Sequence, residues 1–390
     1  MSDIQLLKDK LKNNNKLLII GAAGTGKTYL VSTFVKTLPA HIKVLVLAPT
    51  HQALSILKDY FSMSKTLARV EYRTIHSALK LRPKIINGER KFVPSGTPII
   101  NNYDYIIVDE ASMIKRSEMR ELLKTEKKII FLGDKHQLPP VGEEESIIFK
   151  EISNKIELKE VKRQSNGNPI VEISKNPESF LQFLSDKKNK INNYAGIAFC
   201  KDKSYAVKMS AQVNNPKDLI FLAYRNETVK RFNNSVKKEL NIAEQITLKT
   251  PIILKSPFKN LPTGTLIIPK FIEEYKAYEG IVNKKGKLIT ADIKYYLING
   301  NVKIISEKSE KDFRRILYAA KQRDAKFYYK LLDKYAQWDY SWGITIHKSQ
   351  GSSFKAAIID LSDILRSDDQ TKKKLAYVAL TRARILNIIT

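Results

Sequence analysis

A glycine-rich segment near the start of the chain has the residue types of a phosphate-binding loop. Glycines let backbone N–H groups curve around phosphate oxygens, and a helix that begins at the loop adds the positive end of its dipole. We expect Lys27 to neutralise the β- and γ-phosphates of a nucleoside triphosphate, and Thr28 to offer its hydroxyl to Mg²⁺. The residues predicted to contact the phosphates are Gly21, Gly24, Thr25, Gly26, Lys27 and Thr28, within the segment GAAGTGKT.

Two adjacent carboxylates, Asp109 and Glu110, follow an apolar run about 80 residues after this loop. Parallel α/β sheets bind ligands at the carboxyl ends of their strands, so carboxylates in this position face the loop. We expect Asp109 to hold Mg²⁺, mostly through water, and Glu110 to orient and deprotonate an attacking water molecule. An Asp-Glu pair alone is usually a solvated strand end, but after a phosphate loop it predicts a hydrolytic site.

Gln137 lies in the segment GDKHQLPPVG, residues 133–142, at the end of the next apolar run. An uncharged donor and acceptor is suited to sensing a γ-phosphate without binding it permanently. Taken alone, a segment with this much proline and glycine is more typical of an ordinary turn.

The elements that must position these residues are short apolar, β-branched runs that alternate with helical patterns. Such near-continuous hydrophobicity is typical of parallel strands covered on both faces. The first set of predicted strands is 16–20, 43–48, 105–110 and 127–133, and a second set is 218–224 and 356–361. We therefore predict an α/β protein with two parallel-sheet units joined by right-handed β-α-β connections.

Two segments interrupt this alternation. Residues 84–93 alternate around Asn87-Gly88, which predicts a tight hairpin. The second interruption, roughly 250–340, contains short strands, a hairpin signal at Asn299-Gly300 and then a helix. The apolar face predicted for that helix consists of Phe313, Ile316, Leu317 and Ala320.

Length and composition restrict the class of protein. A chain of 390 residues can bury two or more cores, and no apolar run approaches the roughly 20 residues of a membrane span. Cys200 is the only cysteine, which excludes an internal disulfide framework or a zinc cluster and, with the polar N-terminus, predicts a reducing cytoplasmic compartment. The net charge of +28 suggests a polyanionic partner, although a lysine-rich proteome explains it almost equally well.

The ordered motifs of the chain resemble those of superfamily 1 helicases, in particular the RecD/Dda group, which moves 5′→3′. The motifs that carry the resemblance are GAAGTGKT, APTHQA, TIH, DEAS, GDKHQLPPVG, ITIHKSQG and VALTRAR. Each motif is moderately specific, but seven in the right order are very specific. The resemblance extends from about residue 16 to the C-terminus, and segments 165–215 and 250–340 match only in general character.

The resemblance implies two RecA-like motor domains with nucleotide in the cleft between them. The first domain would span 1–162, with a hairpin (pin) insertion at about 78–102. The second would comprise 163–250 and 341–390, with a small β-rich, SH3-like insertion and a helical return at 251–340.

The resemblance also implies that two arginines reach the γ-phosphate, Arg163 from the hinge and Arg382 from the second domain. Permanently charged guanidinium groups fit this role, and an arginine supplied across a cleft makes hydrolysis depend on closure. Each arginine could instead be a surface or phosphate-backbone contact. Gln350 would lie near the nucleotide.

The implied nucleic-acid track consists of hydroxyls and imidazoles at strand ends, which hold phosphates without reading sequence. Phe92 occupies the place of the strand-separating pin, where an aromatic tip would stack on the last base pair, or it packs its own hairpin onto the domain. Trp338 and Trp342 flank the last track motif, and one of them would stack on a base. The predicted DNA contacts are Thr50, His51, Thr74, His76, Phe92, Trp342, Thr345 and His347.

The implied function is an ATP- and Mg²⁺-dependent DNA helicase that acts in replication, recombination or repair, and the likeness extends to a bacteriophage helicase of this group. We expect a monomer that binds single-stranded DNA and duplex junctions, with a single-strand-binding or replisome protein as partner. An RNA-directed helicase and a nucleotide-gated single-strand clamp remain alternatives. One departure concerns adenine: Gln5 lies closer to the loop than the adenine-reading glutamine of the family, so other triphosphates could serve.

Overall fold

The computed structural model describes residues 3–62, 66–87, 89–140, 142–158, 196–200, 202–242 and 246–390. In the first half of these residues strands alternate with helices, as the apolar runs predict. The strands are β1 (Lys16–Gly21), β2 (Lys43–Ala48), β3 (Arg69–Thr74), β4 (Leu81–Ile86), β5 (Glu89–Pro94), β6 (Tyr105–Val108), β7 (Lys128–Gly133) and β8 (Lys155–Leu158). The helices are α1 (Asp3–Lys12), α2 (Lys27–Lys36), α3 (His51–Ser62), α4 (Ile75–Ala78), α5 (Arg116–Leu123) and α6 (Ile148–Glu151), with 3-10 turns at Ile99–Asn102 and Ala111–Met113.

The second half of the described chain contains further strands and helices. The strands are β9 (Ile197–Phe199), β10 (Leu219–Ala223), β11 (Ile252–Leu254), β12 (Leu266–Ile267), β13 (Ile272–Val282), β14 (Leu288–Ile298), β15 (Val302–Ile305), β16 (Trp338–Tyr340), β17 (Gly343–Thr345), β18 (Phe354–Ile359) and β19 (Ala383–Ile389). The helices are α7 (Lys203–Ala211), α8 (Asn226–Glu239), α9 (Glu307–Arg323), α10 (Ala325–Leu332), α11 (Ile346–Ser349), α12 (Leu361–Ile364) and α13 (Asp369–Leu380).

Two parallel sheets carry the motifs. The first has six strands in the order β3-β2-β6-β7-β1-β8, and the second has five in the order β17-β10-β18-β19-β9. Their central strands are buried on both faces, as in Ile19, Ile107 and Ile220, each 0% exposed. Because every pair in these two sheets is parallel, the carboxyl ends of the strands in each sheet share one edge.

The two interrupting segments are antiparallel. Strands β4 and β5 pair with each other around the turn at Asn87, as the alternating pattern predicts. In the second segment, one sheet has the order β12-β11-β16 and another the order β13-β14-β15. Helix α9 packs on this segment through the face predicted from the sequence, since Phe313, Ile316, Leu317 and Ala320 are all buried.

The cores of the two parallel sheets meet at the loops that bear the motifs. Leu138, from the segment after β7, belongs to the buried cluster of the second sheet, and Ala23 of the glycine-rich loop packs against the same cluster. This contact places the carboxyl edge of the first sheet against the second sheet. Among the described residues, every helix is too short or too polar to cross a bilayer.

Candidate nucleotide cleft and nucleic-acid track

A cleft of about 510 Å³ lies between the two parallel-sheet units and receives residues from both. From the first unit the lining residues are Ala23, Gly24, Gly26, Lys27, Thr28, Tyr29, Ala53, Leu57, Tyr60, Asp109, Glu110 and Gln137. From the second unit they are Gly351, Ser352, Ser353, Thr381, Arg382 and Arg384. Five of the six residues predicted to act in catalysis therefore share one cleft.

The glycine-rich loop has a backbone that requires glycine. Gly24 and Gly26 have φ values of 83° and 84°, in the left-handed region. At Gly21 a Cβ atom would lie 2.4 Å from Thr25 Oγ1, which itself donates to the Ala22 carbonyl. These constraints curl the loop tightly into the start of α2.

Lys27 and Thr28 form the first turn of α2 and line the cleft. The Lys27 ammonium donates to the Gly21 carbonyl at 2.6 Å and to the Ala22 carbonyl at 2.9 Å. These bonds hold the positive charge over the loop, where phosphate oxygens would compete for the same protons.

Asp109 and Glu110 leave the end of β6 and enter the cleft. Burial, followed by the charge of Glu110, raises the pKa of Asp109 to about 7, while the Glu110 N–H and Lys27 act in the opposite direction. Glu110 is left-handed, with φ 49°, and its N–H donates to Asp109 Oδ1 at 2.9 Å. Both carboxylates line the cleft.

The residues fit an Mg²⁺ ion bound together with nucleotide phosphates. Among the described residues, no group of three or more His, Cys, Asp or Glu side chains is arranged to hold a metal. Asp109 and Thr28 supply one carboxylate and one hydroxyl in the same cleft. Mg²⁺ commonly takes one or two protein oxygens and completes its shell with water and phosphate, so this donor set is suitable.

Two buried glutamine side chains keep unpaired polar atoms beside the cleft. Gln137 is 8% exposed, lines the cleft, and its Oε1 has no hydrogen-bond partner within the described part of the chain. Gln350 is 6% exposed, with an equally unpaired Nε2, and it precedes the cleft residue Gly351. A buried polar atom without a partner costs about 1–3 kcal/mol, so both positions are suited to a ligand or water.

Arg382 reaches the cleft from the second unit although it is only 6% exposed. Its guanidinium donates to the carbonyls of Val378 and Ser352 and to the Thr381 hydroxyl. Burial lowers the pKa of Arg382, and the nearby Glu110 carboxylate opposes this shift. The bonds fix a charged group opposite the phosphate loop.

The structure adds two residues that sequence reasoning missed. Arg384 lines the cleft and donates to the Ser353 hydroxyl, and its place two residues after Arg382 in VALTRAR was an available signal. Tyr377 bonds to both Ala23 and Asp134 across the cleft. No sequence signal marks it, because an aromatic residue in an apolar helix is typical of a core position.

Two further residues considered in the sequence analysis are Arg163 and Gln5. Arg163 lies outside the described residues. Gln5 is on α1, where its amide donates to Asp9 at 3.1 Å, and it is not among the residues that line the cleft.

The threonines of the predicted track lie at strand ends and accept bonds from backbone N–H groups that follow. Thr50 accepts from the Ala53 N–H, Thr74 from the Ser77 N–H, and Thr345 from the Lys348 N–H. Thr345 is only 5% exposed, so its hydroxyl stabilises the start of α11. His51 and His347 lie at the same carboxyl edges, and burial lowers the pKa of His347.

The hairpin prediction needs a correction at Phe92. Phe92 pairs with Pro83, well away from the turn at Asn87, so it is not the tip of the hairpin. Its ring stacks on His76 with centroids 4.6 Å apart, and His76 Nε2 is 2.7 Å from a Glu118 oxygen. These contacts attach the base of the hairpin to α5.

Trp342 also needs a correction. It is 2% exposed and stacks on Tyr340, with centroids 5.3 Å apart. A side chain buried inside the second unit cannot stack on a base, so the prediction of a DNA contact at Trp342 is wrong. Trp342 lies between the short strands β16 and β17, and its side chain points into the core. The neighbouring sequence motifs carry no information about that direction.

Comparisons with known proteins agree with the motif order. A model described as an AAA domain matches residues 6–143, and one described as a UvrD-like helicase C-terminal domain matches residues 340–390. The chain is 26% identical to the ATP-dependent DNA helicase Dda of Enterobacteria phage T4, over 97% of this chain and 95% of the relative. It is 28% identical to the RecBCD enzyme subunit RecD of Buchnera aphidicola, over 95% of this chain and 69% of that subunit.

A solved structure shares the fold along the whole chain. The structure of Pif1 helicase from Bacteroides in complex with ADP-AlF3 and ssDNA covers 100% of this chain, with 92% of that chain matched. The TM-score is 0.52 at 16% sequence identity. The likeness confirms the predicted arrangement of two RecA-like parallel-sheet domains.

Proposed function

We propose that the chain, which belongs to the RecD/Pif1/Dda group of superfamily 1 helicases, is an ATP-dependent DNA helicase that moves 5′→3′ and unwinds duplex DNA. One observation carries the proposal. A single cleft collects a phosphate loop, a strand-end Asp-Glu pair, Gln137 and Arg382 from two domains. A binding module that does not hydrolyse nucleotide needs no such set.

Each side chain of the cleft has a step in the proposed hydrolysis. Lys27 and the loop amides bind the β- and γ-phosphates, and Glu110 accepts a proton from the attacking water. Gln137, whose amide keeps an unpaired Oε1 in the cleft, senses the γ-phosphate without binding it permanently. Thr28 and Asp109 would hold Mg²⁺, which neutralises phosphate charge when it is bound.

Arg382 makes hydrolysis depend on the relative position of the two domains. Its charge stabilises the transferring phosphoryl group only when the second domain closes on the phosphate loop. We propose that ATP binding closes the cleft, hydrolysis reopens it, and each cycle advances the protein along one strand. We propose the same γ-phosphate contact for Arg163, from the hinge.

The strand-end residues supply the proposed DNA track. Thr50, His51, Thr74 and His347 lie at the carboxyl edges of the two sheets, where hydroxyls and imidazoles can hold phosphates. We propose that single-stranded DNA crosses both edges, so that closure shifts one grip relative to the other. For His76 the contact with DNA would be made beside Phe92, on the exposed side of the ring pair.

We also propose a division of the chain into domains. The first domain is 1–162, and the second is 163–250 with 341–390, around an SH3-like insertion at 251–340. Support comes from β16, which pairs with β11 of the insertion, whereas β17 pairs with β10 of the second sheet. The chain therefore passes from the insertion to the second domain between Tyr340 and Gly343.

We further propose a monomer in the cytoplasm, the host cytoplasm if the source is a virus. Single-stranded DNA and duplex junctions are its proposed substrates, and a single-strand-binding or replisome protein is its proposed partner. Work in replication, recombination or repair follows from that substrate class.

The proposed catalytic role predicts the effect of Glu110→Gln. Loss of the base should lower DNA-stimulated kcat by about 100-fold or more, because positioned bases contribute about 10²–10⁴-fold. Nucleotide affinity should persist, since Lys27 and the loop remain. Steady-state hydrolysis and fluorescent-nucleotide titration measure the two quantities.

The matched control is Glu157→Gln, an exposed glutamate on β8 of the same sheet. It should hydrolyse ATP within about twofold of the unaltered protein, as expected for a surface substitution. Full hydrolysis by Glu110→Gln would overturn the assignment of the base.

Polarity and substrate are tested on duplexes with a 5′ or a 3′ single-stranded tail of DNA or RNA. We expect DNA-stimulated hydrolysis and unwinding from the 5′ DNA tail only. Stimulation without strand separation would instead indicate a translocase or clamp. Equal activity on RNA tails would contradict DNA as the specific substrate.

A further inference from the structure

One hydroxyl group ties the second domain to the phosphate loop. Tyr377, on α13, accepts a hydrogen bond from the Ala23 N–H at 2.7 Å and donates one to Asp134 Oδ2 at 2.7 Å. Ala23 belongs to the glycine-rich loop. Asp134 belongs to residues 133–142, the segment that carries Gln137, which we call the Asp134 segment. A single side chain of the second domain therefore contacts two catalytic segments of the first.

The Tyr377 hydroxyl and its partner Asp134 are buried, and Asp134 has a further hydrogen bond. Tyr377 is 0% exposed and Asp134 is 1% exposed. The second oxygen of Asp134 accepts from the His136 N–H at 3.0 Å, and the ring of His136 lies 5.4 Å from that of Tyr377. The buried bridge can therefore persist only while the loop, the Asp134 segment and α13 keep their present positions.

The same helix leads directly to the arginine of the cleft. Helix α13 ends at Leu380, and Arg382 follows with its guanidinium bonded back to the Val378 carbonyl. Movement of Tyr377 away from the loop would thus carry Arg382 with it. Separation of the domains would also leave the Ala23 N–H and the Asp134 carboxylate in need of other partners.

We propose that Tyr377 is a positioning residue that couples the phosphate loop and the Asp134 segment to Arg382, so that hydrolysis requires the closed cleft. This inference rests on the proposed ATPase function and assigns a regulatory contact within that same site. Tyr377 does not react with the nucleotide. It sets the fraction of protein in which Arg382 stands opposite the phosphates.

The test replaces only the hydroxyl, by Tyr377→Phe, and keeps the ring that packs in the core. The control is Tyr340→Phe, because the buried Tyr340 hydroxyl also donates to a carboxylate, Glu307 Oε1, at 2.7 Å, but away from the cleft. Loss of the cross-domain bonds should lower kcat for ATP about tenfold while KM changes by less than about threefold. Tyr340→Phe should keep kcat within about twofold.

A double variant separates coupling from general weakening. Because both residues act through one closed arrangement, Tyr377→Phe with Arg382→Ala should be hardly slower than Arg382→Ala alone. Equal kcat for Tyr377→Phe and Tyr340→Phe, or fully multiplicative effects in the double variant, would overturn the proposal. Failure of the proposed function would appear differently, as hydrolysis by the unaltered protein that DNA does not stimulate, and the ratio between the two phenylalanine variants would still decide the inference.

Discussion

At the scale of single residues, the cleft contains features that cost stability. Glu110 adopts a left-handed backbone that non-glycine residues rarely take, at a cost of about 1–3 kcal/mol. Gln137 and Gln350 each bury an amide atom without a partner inside the described region. Left-handed residues and buried unpaired atoms also occur elsewhere in the described chain, so these features support a ligand site only together with the phosphate loop and the charged residues of the same cleft.

The cleft also predicts weak selection of the nucleobase. Besides the phosphate loop itself, the lining includes Tyr29, Leu57 and Tyr60, which offer ring and apolar surfaces that accept any base. Gln5 instead bonds to Asp9. We expect kcat/KM for GTP within about tenfold of that for ATP, because strong rejection requires hydrogen bonds specific to one base. Steady-state kinetics with both triphosphates measure this ratio.

Gln5→Ala is the companion variant for this experiment. It should leave kcat/KM for ATP within about twofold, since Gln5 does not line the cleft. A preference for ATP above about 100-fold that disappears in Gln5→Ala would show that Gln5 reads adenine after all.

At the scale of elements, the β4–β5 hairpin depends on a chain of contacts at its base. Phe92 stacks on His76, which in turn bonds to Glu118 of α5. A two-stranded hairpin is only marginally stable by itself, so such anchoring decides where it points. These contacts therefore fix the position of the hairpin relative to the strand-end residues around His76.

This anchoring predicts a separation of activities in Phe92→Ala. Loss of the ring stack should slow duplex unwinding about fivefold or more, while DNA-stimulated hydrolysis stays within about twofold, because the cleft is untouched. Unwinding of a 5′-tailed duplex and hydrolysis on single-stranded DNA are compared in parallel.

Tyr205→Ala removes a similarly exposed aromatic ring from α7, far from the hairpin in sequence, and serves as the control. Both of its activities should match the unaltered protein. Equal unwinding by Phe92→Ala and Tyr205→Ala would exclude a role of the hairpin anchor in strand separation.

At the scale of the whole molecule, the chain has a net charge of +28 and two parallel sheets, each with one edge formed by the carboxyl ends of its strands. A field of this size attracts polyanions without regard to sequence, as a translocating protein requires. We propose that this charge supplies affinity for the DNA track and that closure of the cleft in each cycle supplies directionality.

The charge predicts a steep salt dependence for binding to single-stranded DNA. Each neutralised phosphate contributes a slope of about −0.7 to log affinity against log salt, so four contacts imply a loss of about 50-fold between 50 and 200 mM. Fluorescence anisotropy with a labelled oligonucleotide measures the slope. Affinity that is constant over this range would contradict an electrostatic track.

Local signals in the sequence predicted the class of fold and several residues that line the cleft. Gly24 and Gly26 are required by the backbone of their own loop, and the apolar runs before Asp109 and Gln137 are buried strands in their own right. Such features depend on neighbouring residues, so composition and spacing are sufficient to predict them. Arg382 and Gln350 were identified through motif order, since nothing local to them specifies a nucleotide.

Only the tertiary structure decided which side chains meet across the two domains. Tyr377 and Ala23 are 354 positions apart, and a buried tyrosine looks the same in sequence whether or not it bridges a cleft. Trp342 turned inward and Phe92 lies at the base of its hairpin for the same reason. The direction and the partners of each buried side chain depend on how elements distant in sequence pack together. Neighbouring residues alone therefore do not determine them.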